Sequence, residues 1–176
     1  MRSMAQKNYQ QNLDDASELA ALMHKLDKFP KPTIALVQGA AFGGAVGLVA
    51  CCDMALAEQG ASFCLSEVKI GLIPAVISPY VMRALGERQC RRYFLTAERF
   101  SADSALTMGL LHQVVAAGEL ASQAESLIAS LLQNSPAAVS AAKALLHNPR
   151  PPISVRANGN RLRGVRLKKS FFILSL

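Results

Sequence analysis

What this chain lacks narrows it first. Four cysteines (Cys51, Cys52, Cys64 and Cys90) occur without a C-x-x-C pair and without a histidine at ligand spacing. That excludes a zinc site and a disulfide framework, so they read as small core residues of a reducing cytoplasm. The glycines from Gly39 to Gly44 form neither G-x-G-x-x-G nor a phosphate loop ending in Lys-Ser, and no nucleophile elbow is present, which excludes the commonest dinucleotide, nucleotide and serine-hydrolase sites. Met1 to Lys7 contains no apolar core of signal-peptide length, and Phe171 to Leu174 is far too short to span a bilayer. The expected location is therefore cytoplasmic, with no membrane partner. No internal repeat or low-complexity run interrupts the sequence.

Acidic residues are missing from one end. Beyond Lys143 stand Arg150, Arg156, Arg161, Arg163, Arg166, Lys168 and Lys169 with no Asp or Glu, while twelve basic residues face twelve acidic ones before that point. The net charge of +7 thus belongs to the tail, and the rest is neutral. A nucleic-acid-binding arm would interleave aromatics with such charge, and none comes until Phe171, so no nucleic-acid partner is expected.

What is present suits one globular domain: 176 residues with 51% hydrophobic content. A helix is expected from near Asn12 to Asp14, carrying Leu19, Leu22, Met23 and Leu26 on one face and ended by Pro30 and Pro32. The strand Thr33 to Val37 follows, then a glycine turn, then a helix from about Gly44 to Cys51 that is apolar nearly all round and hence buried. Strands are expected at Asp53 to Ala57, at Phe63 to Leu65 and at His112 to Val115. Helices are expected from Pro79, after Gly86, after a Ser101 cap with Gly109 as stop, through Leu120 to Leu131, and from Ser135-Pro136. Early alternation of strand and helix followed by helices is an α/β pattern.

Two places carry chemistry. At Gly43-Gly44 a β-branched strand runs through a turn into a small-residue helix, so N–H groups without helical acceptors face outward where no Cβ blocks a ligand. Such a turn can stabilise charge developing on a carbonyl oxygen, and it can equally be a tight packing turn. In Ala61 to Pro74, Glu67 is a lone acid among apolar residues. Burial there would raise its pKa and suit it to give and take a proton. The plainer alternatives are an exposed loop carboxylate or a pair with Lys69. His24, His112 and His147 are weighed as alternative bases; His24, on a helix, and His112, opening a strand, read as structural, and Cys64, lacking a nearby histidine, reads as core.

Taken together, Ile34 to Gly44, Cys52-Asp53, Phe63 to Gly71 with Glu67, Leu95 to Ala102 and Ala105 to Leu110 resemble, in order and spacing, the crotonase (enoyl-CoA hydratase/isomerase) superfamily. The runs Ala41 to Ala50 and Gly71 to Val81 are most like the bacterial methylglutaconyl-CoA and carboxygeranoyl-CoA hydratases of leucine and acyclic-terpene catabolism. The resemblance implies a spiral ClpP/crotonase α/β core, partial here, with a helical C-terminal part. It divides the chain into residues 1–147, the crotonase-like domain, and 148–176, a basic tail unrelated to the family and expected to be poorly ordered. The family's earlier oxyanion segment and first strands have no counterpart, so the chain is expected to be truncated at its N-terminus.

The implied reaction is hydration of a 2-enoyl-CoA thioester, with 3-methylglutaconyl-CoA or a related branched acidic acyl-CoA as substrate. Glu67 would be the acid/base, Gly44 would supply an oxyanion N–H, and Phe42, Gly43, Gly44 and Pro74 would contact the substrate. The family's other glutamate falls on Gly47. No metal is implied, and no cofactor apart from the coenzyme A of the substrate. The family's trimers or hexamers imply a homo-oligomer. An isomerase of the same fold and a catalytically silent remnant are the alternatives.

Overall fold

Thr33–Val37 (β1) is apolar after its first residue, the pattern of a strand covered on both faces. In the computed structural model, which describes residues 8–147 and 172–176, β1 lies inside a four-stranded parallel sheet. Its neighbours are Met54–Glu58 (β3) on one side and Phe172–Ser175 (β7) on the other, and Gln113–Val115 (β6) pairs with β3 to give the order β6-β3-β1-β7. The two-residue period of a strand then sorts the side chains by face. Ala35, Val37, Ala55 and Ala57 turn toward the main core, while Ile34 and Leu56 join Val115 and Leu120 in a second cluster.

The first face shares the main core with Gly44–Cys51 (α2), whose Val46, Val49 and Cys51 are buried together with Met23 of Tyr9–Asp27 (α1) and Val81 of Ser78–Leu85 (α3). The opposite face is covered by Leu120–Leu132 (α6), through Leu120, Leu127, Ile128 and Leu131. Buried apolar faces on both sides of the sheet are the main stabilising term, at about 25 cal/mol for each Å² removed from water.

A second sheet builds the site. Ala40–Phe42 (β2) runs parallel to Ser62–Cys64 (β4), which pairs antiparallel with Phe100–Ser101 (β5). Phe63 stacks on Phe100 with ring centroids 5.5 Å apart, and Tyr93 of Glu87–Thr96 (α4) meets Phe100 at 4.7 Å. Ala97, the one non-glycine residue with positive φ among those described (+47°), caps α4, and its carbonyl accepts from Cys64 Sγ at 3.2 Å. Ser101 caps Ala102–Thr107 (α5) by accepting from Ser104 N–H, as expected, and Pro136–His147 (α7) completes the helices.

Three expectations are corrected. First, α1 begins earlier than Asn12, because Asn8 and Gln11 form a reciprocal capping box: Asn8 Oδ1 accepts from Gln11 N–H at 2.9 Å and Gln11 Oε1 accepts from Asn8 N–H at 3.0 Å. Second, Glu67–Ile70 forms a 3-10 turn after β4, so the strand ends at Cys64 and Leu65 is not part of it.

Third, the end of the tail is ordered. The parallel edge of β1 offers hydrogen-bonding groups that Phe172–Ser175 satisfies, with Leu176 N–H donating to Leu36 O (2.8 Å) and Gln38 N–H to Leu176 O (2.7 Å). Leu174 and Leu176 pack against the main core, and Phe29 meets Phe172 at 5.9 Å. Residues 148–171, with all seven basic positions of the tail, lie outside the described residues. Among the described residues no helix is long and apolar enough to cross a membrane.

Candidate functional site

β2 delivers the chain to Gly43, the N-cap of α2, at φ +55° and ψ −123°, a conformation that a side chain disfavours strongly. Gly43 N–H donates to Cys64 O at 2.8 Å, which fastens the turn to β4. Its carbonyl accepts from Val46 N–H at 2.9 Å and starts the helix. Gly44 follows as the first helical residue, and among the described residues its N–H has no acceptor, as the start of a helix dictates. A Cβ at Gly44 would point toward α1, 3.7 Å from Leu19 Cδ2.

Pairing of β2 with β4 then brings the other half of the site alongside. β4 ends at Cys64, and the 3-10 turn that starts at Glu67 swings the carboxylate back over Gly43: Glu67 Oε1 stands 3.3 Å from where a Gly43 Cβ would be, and Ser66 Oγ 3.6 Å from the same point. Glu67 Oε2 and Ser66 Oγ are both buried with no hydrogen-bond partner among the described residues. Burial raises the Glu67 pKa above its ordinary value of 4.5, and a hydrogen bond from its own backbone offsets part of that rise. Lys69 is exposed, and among the described residues no ion pair joins it to Glu67. An unpaired carboxylate held partly out of water beside free helix-terminal N–H groups can exchange protons with a molecule docked at the turn.

One turn into α2 the wall is apolar. A Cβ on Gly47 would stand 2.4 Å from Ile77 Cγ2 and 2.7 Å from Met23 Cε, both side chains being almost wholly buried. Glycine at this position is therefore required by packing, and a second carboxylate has no room there. Sequence reasoning did not reach Met23, Ile77 or Ser66 as site residues. Met23 and Ile77 are distant along the chain, and Ser66 looked like an ordinary turn residue.

The remaining expected residues are spread out. Phe42 ends β2, half-buried, with the Arg99 guanidinium 4.9 Å from its ring centre, next in sequence to the turn. Pro74 sits in the loop before α3, where its carbonyl accepts from Ser78 N–H at 2.9 Å; nothing in that bond ties it to Glu67. His24 is exposed on α1, and His112 Nδ1 accepts from Ala55 N–H at 3.1 Å. His147 Nδ1 lies 3.0 Å from Lys28 Nζ.

At the far end of α2 a cavity of about 290 Å³ is lined by Asp27, Cys51, Cys52, Arg83, His112 and His147 among others. Its polar groups already hold one another: Asp27 pairs with Arg83 and, at 3.4 Å, with Lys28. Burial above all pushes the Cys51 and Cys52 thiols up to about 12 and about 11, which leaves neither as a thiolate near neutrality. Nearby, Asp53 Oδ2 accepts from Thr33 N–H (2.7 Å), Thr33 Oγ1 (2.9 Å) and the buried Lys143 Nζ (2.6 Å), a junction of β1, β3 and α7. Among the described residues no group of His, Cys, Asp and Glu could hold a metal ion.

Known proteins share this fold. Residues 1–158 match the family model described as enoyl-CoA hydratase/isomerase. The crystal structure of an enoyl-CoA hydratase from Shewanella pealeana superposes with a TM-score of 0.79 and 58% identity, covering 84% of this chain and 55% of that one. An enoyl-CoA hydratase of Alternaria alternata is 43% identical over 57% of this chain and 35% of its own length. A short-chain-enoyl-CoA hydratase of Clostridium acetobutylicum is 32% identical over 69% of this chain and 47% of its own. The chain thus spans about half, or less, of the length of these relatives. The family model covers most of the sequence and the core is a crotonase-fold α/β one, so the chain belongs to the enoyl-CoA hydratase/isomerase family.

Proposed function

We propose that the protein adds water across the double bond of a 2-enoyl-CoA thioester, with Glu67 as the acid/base. The observation that carries this reading is the half-buried Glu67 carboxylate beside the Gly43-Gly44 turn, whose Oε2 is buried with no hydrogen-bond partner among the described residues. Burial favours the protonated form, so the same group can take a proton from water and return one to carbon. The thioester oxygen would accept from Gly44 N–H, and charge moved onto it as water adds would be stabilised there. Phe42, Gly43 and Pro74 are the further substrate contacts of this reading. Its finer form takes 3-methylglutaconyl-CoA or a related branched acidic acyl-CoA as substrate, in leucine or isoprenoid breakdown, and a homo-oligomer as the working state. The motifs around Gly47 and Gly71 support that choice.

Hydration is followed by the loss of enoyl-thioester absorbance on crotonyl-CoA and 3-methylglutaconyl-CoA. Glu67→Gln is expected to lower kcat by about 10²-fold or more with little change in KM. Equal turnover by Glu67→Gln and the unaltered protein would remove Glu67 from the reaction. One observation favours a second reading: the Gly47 position has no room for a second carboxylate, and moving a double bond needs a single acid/base. An isomerase would convert a 3-enoyl-CoA while leaving the 2-enoyl-CoA unhydrated, and a silent protein would convert neither.

A further inference from the structure

The proposed reaction needs more than one group to fix a water molecule, because a lone acceptor leaves the water free to pivot. Gly47 offers nothing: Ile77 and Met23 fill the space beside it. On the other side of Glu67 stands Ser66, at the N-cap of the 3-10 turn. A serine there ordinarily accepts from a backbone N–H of the turn, yet this side chain makes no capping hydrogen bond. Its Oγ is buried without a partner among the described residues, in the same condition as Glu67 Oε2. Two adjacent orphaned polar atoms in one place are costly, about 1–3 kcal/mol for each desolvated group, unless something polar binds between them. Both groups face Gly43, Ser66 Oγ standing 3.6 Å and Glu67 Oε1 3.3 Å from the point that a Gly43 Cβ would occupy, so the missing side chain is what lets them come together over the turn.

We propose that Ser66 is a water-holding residue of the site, its hydroxyl and the Glu67 carboxylate together gripping the water that adds to the enoyl thioester. This rests on the hydration reading above. The water would donate one hydrogen to Glu67 and accept from, or donate to, Ser66 Oγ, leaving its lone pair directed at the substrate. As the oxygen–carbon bond forms, the carbon–carbon π pair moves toward the thioester oxygen and the water's proton passes to Glu67. The carboxylic acid then returns a proton to the adjacent carbon, so one water is added and Ser66 is unchanged. A hydroxyl can serve where a second carboxylate is absent because it binds the water without itself needing a proton balance.

The test compares Ser66→Ala, Ser66→Thr and Glu67→Gln by kinetics on a 2-enoyl-CoA and by the carboxyl titration of Glu67, read by NMR on protein carrying carbon-13 at its glutamate carboxyls, with the Glu67 signal identified by its loss in Glu67→Gln. Ser66→Ala is expected to lower kcat about tenfold with KM within about twofold, and Ser66→Thr to restore most of it. The Glu67 midpoint should move further up in Ser66→Ala, since a water donating to the carboxylate is lost. Unchanged kcat and an unchanged midpoint in Ser66→Ala, with Glu67→Gln inactive, would overturn the role of Ser66 and leave the hydratase reading standing. Full activity of Glu67→Gln would overturn that reading itself. Should the unaltered protein turn over no substrate, the midpoint alone decides: movement in Ser66→Ala supports the shared water, and a fixed midpoint refutes it.

Discussion

The two ends of the eight-residue helix α2 treat polar groups in opposite ways. At its start, Gly44 N–H, Ser66 Oγ and Glu67 Oε2 are left without partners among the described residues. At its end, Asp53 satisfies Thr33 and Lys143, Asp27 pairs with Arg83, and His112 accepts from Ala55, so the polar groups there close on one another. Both ends are partly buried and both carry acids. What separates a candidate site from a structural junction here is the hydrogen bonds that are missing, because an orphaned buried group is tolerated where something else is to be bound.

Three changes would break or sharpen that contrast. The largest effect beyond Glu67 itself is expected at Gly44, where the N–H is the functional atom. Proline is favoured in the first turn of a helix, and Gly43 at φ +55° and ψ −123° mirrors the extended conformation that a following proline prefers. Gly44→Pro therefore deletes the N–H with little disturbance, and kcat should fall by roughly 10²–10³-fold while the far-ultraviolet circular dichroism is kept. Gly44→Ala retains the N–H and should lose much less. Equal rates in the two variants would show the turn to be structural.

At the other end, Lys143→Ala leaves Asp53 without its cation. The lysine is buried and the aspartate partly exposed, so the expected loss is about 3 kcal/mol, the low end for a broken buried pair. Urea unfolding measures it. The substrate KM should stay unchanged if the Asp53 junction is structural, as its closed hydrogen bonding implies.

The smallest effect is a pH dependence. Burial raises the Glu67 pKa above 4.5, so the folded protein binds this proton more tightly than the unfolded chain does. Stability is then lost as pH rises from about 4.5 through the folded-state midpoint. Glu67→Gln removes that loss. The variant should match the parent in acid and become the more stable of the two above that window, by thermal unfolding across pH. A stability difference that is the same at every pH would mean the carboxylate is no more desolvated folded than unfolded.

Much of this was legible along the chain. The β1 strand, the Gly43-Gly44 turn and α2 follow from a β-branched run, paired glycines and a small-residue stretch, and α6 from its helical stripe. Glu67 stood out as an acid among apolar residues, and its raised pKa follows from that setting. The early start of α1 was also written locally, in Asn8 and Gln11, a box with asparagine and glutamine in place of the commoner serine and glutamate. The strand at Phe172–Ser175 was not legible. Nothing local marks where it pairs, and the free edge of β1 that accepts it is set by the sheet.

Local sequence thus determined which residues could be strand, turn, helix and acid, since those depend on side-chain shape, period and polarity over a few positions. Tertiary structure alone decided what meets at Gly43. Parallel pairing of β2 with β4 carries Glu67 and Ser66 back over the turn, and the packing of α1 and α3 on α2 sets Met23 and Ile77 against Gly47. Whether a polar atom finds a partner depends on segments far apart in the chain. Spacing along a sequence cannot express that, and the fold does.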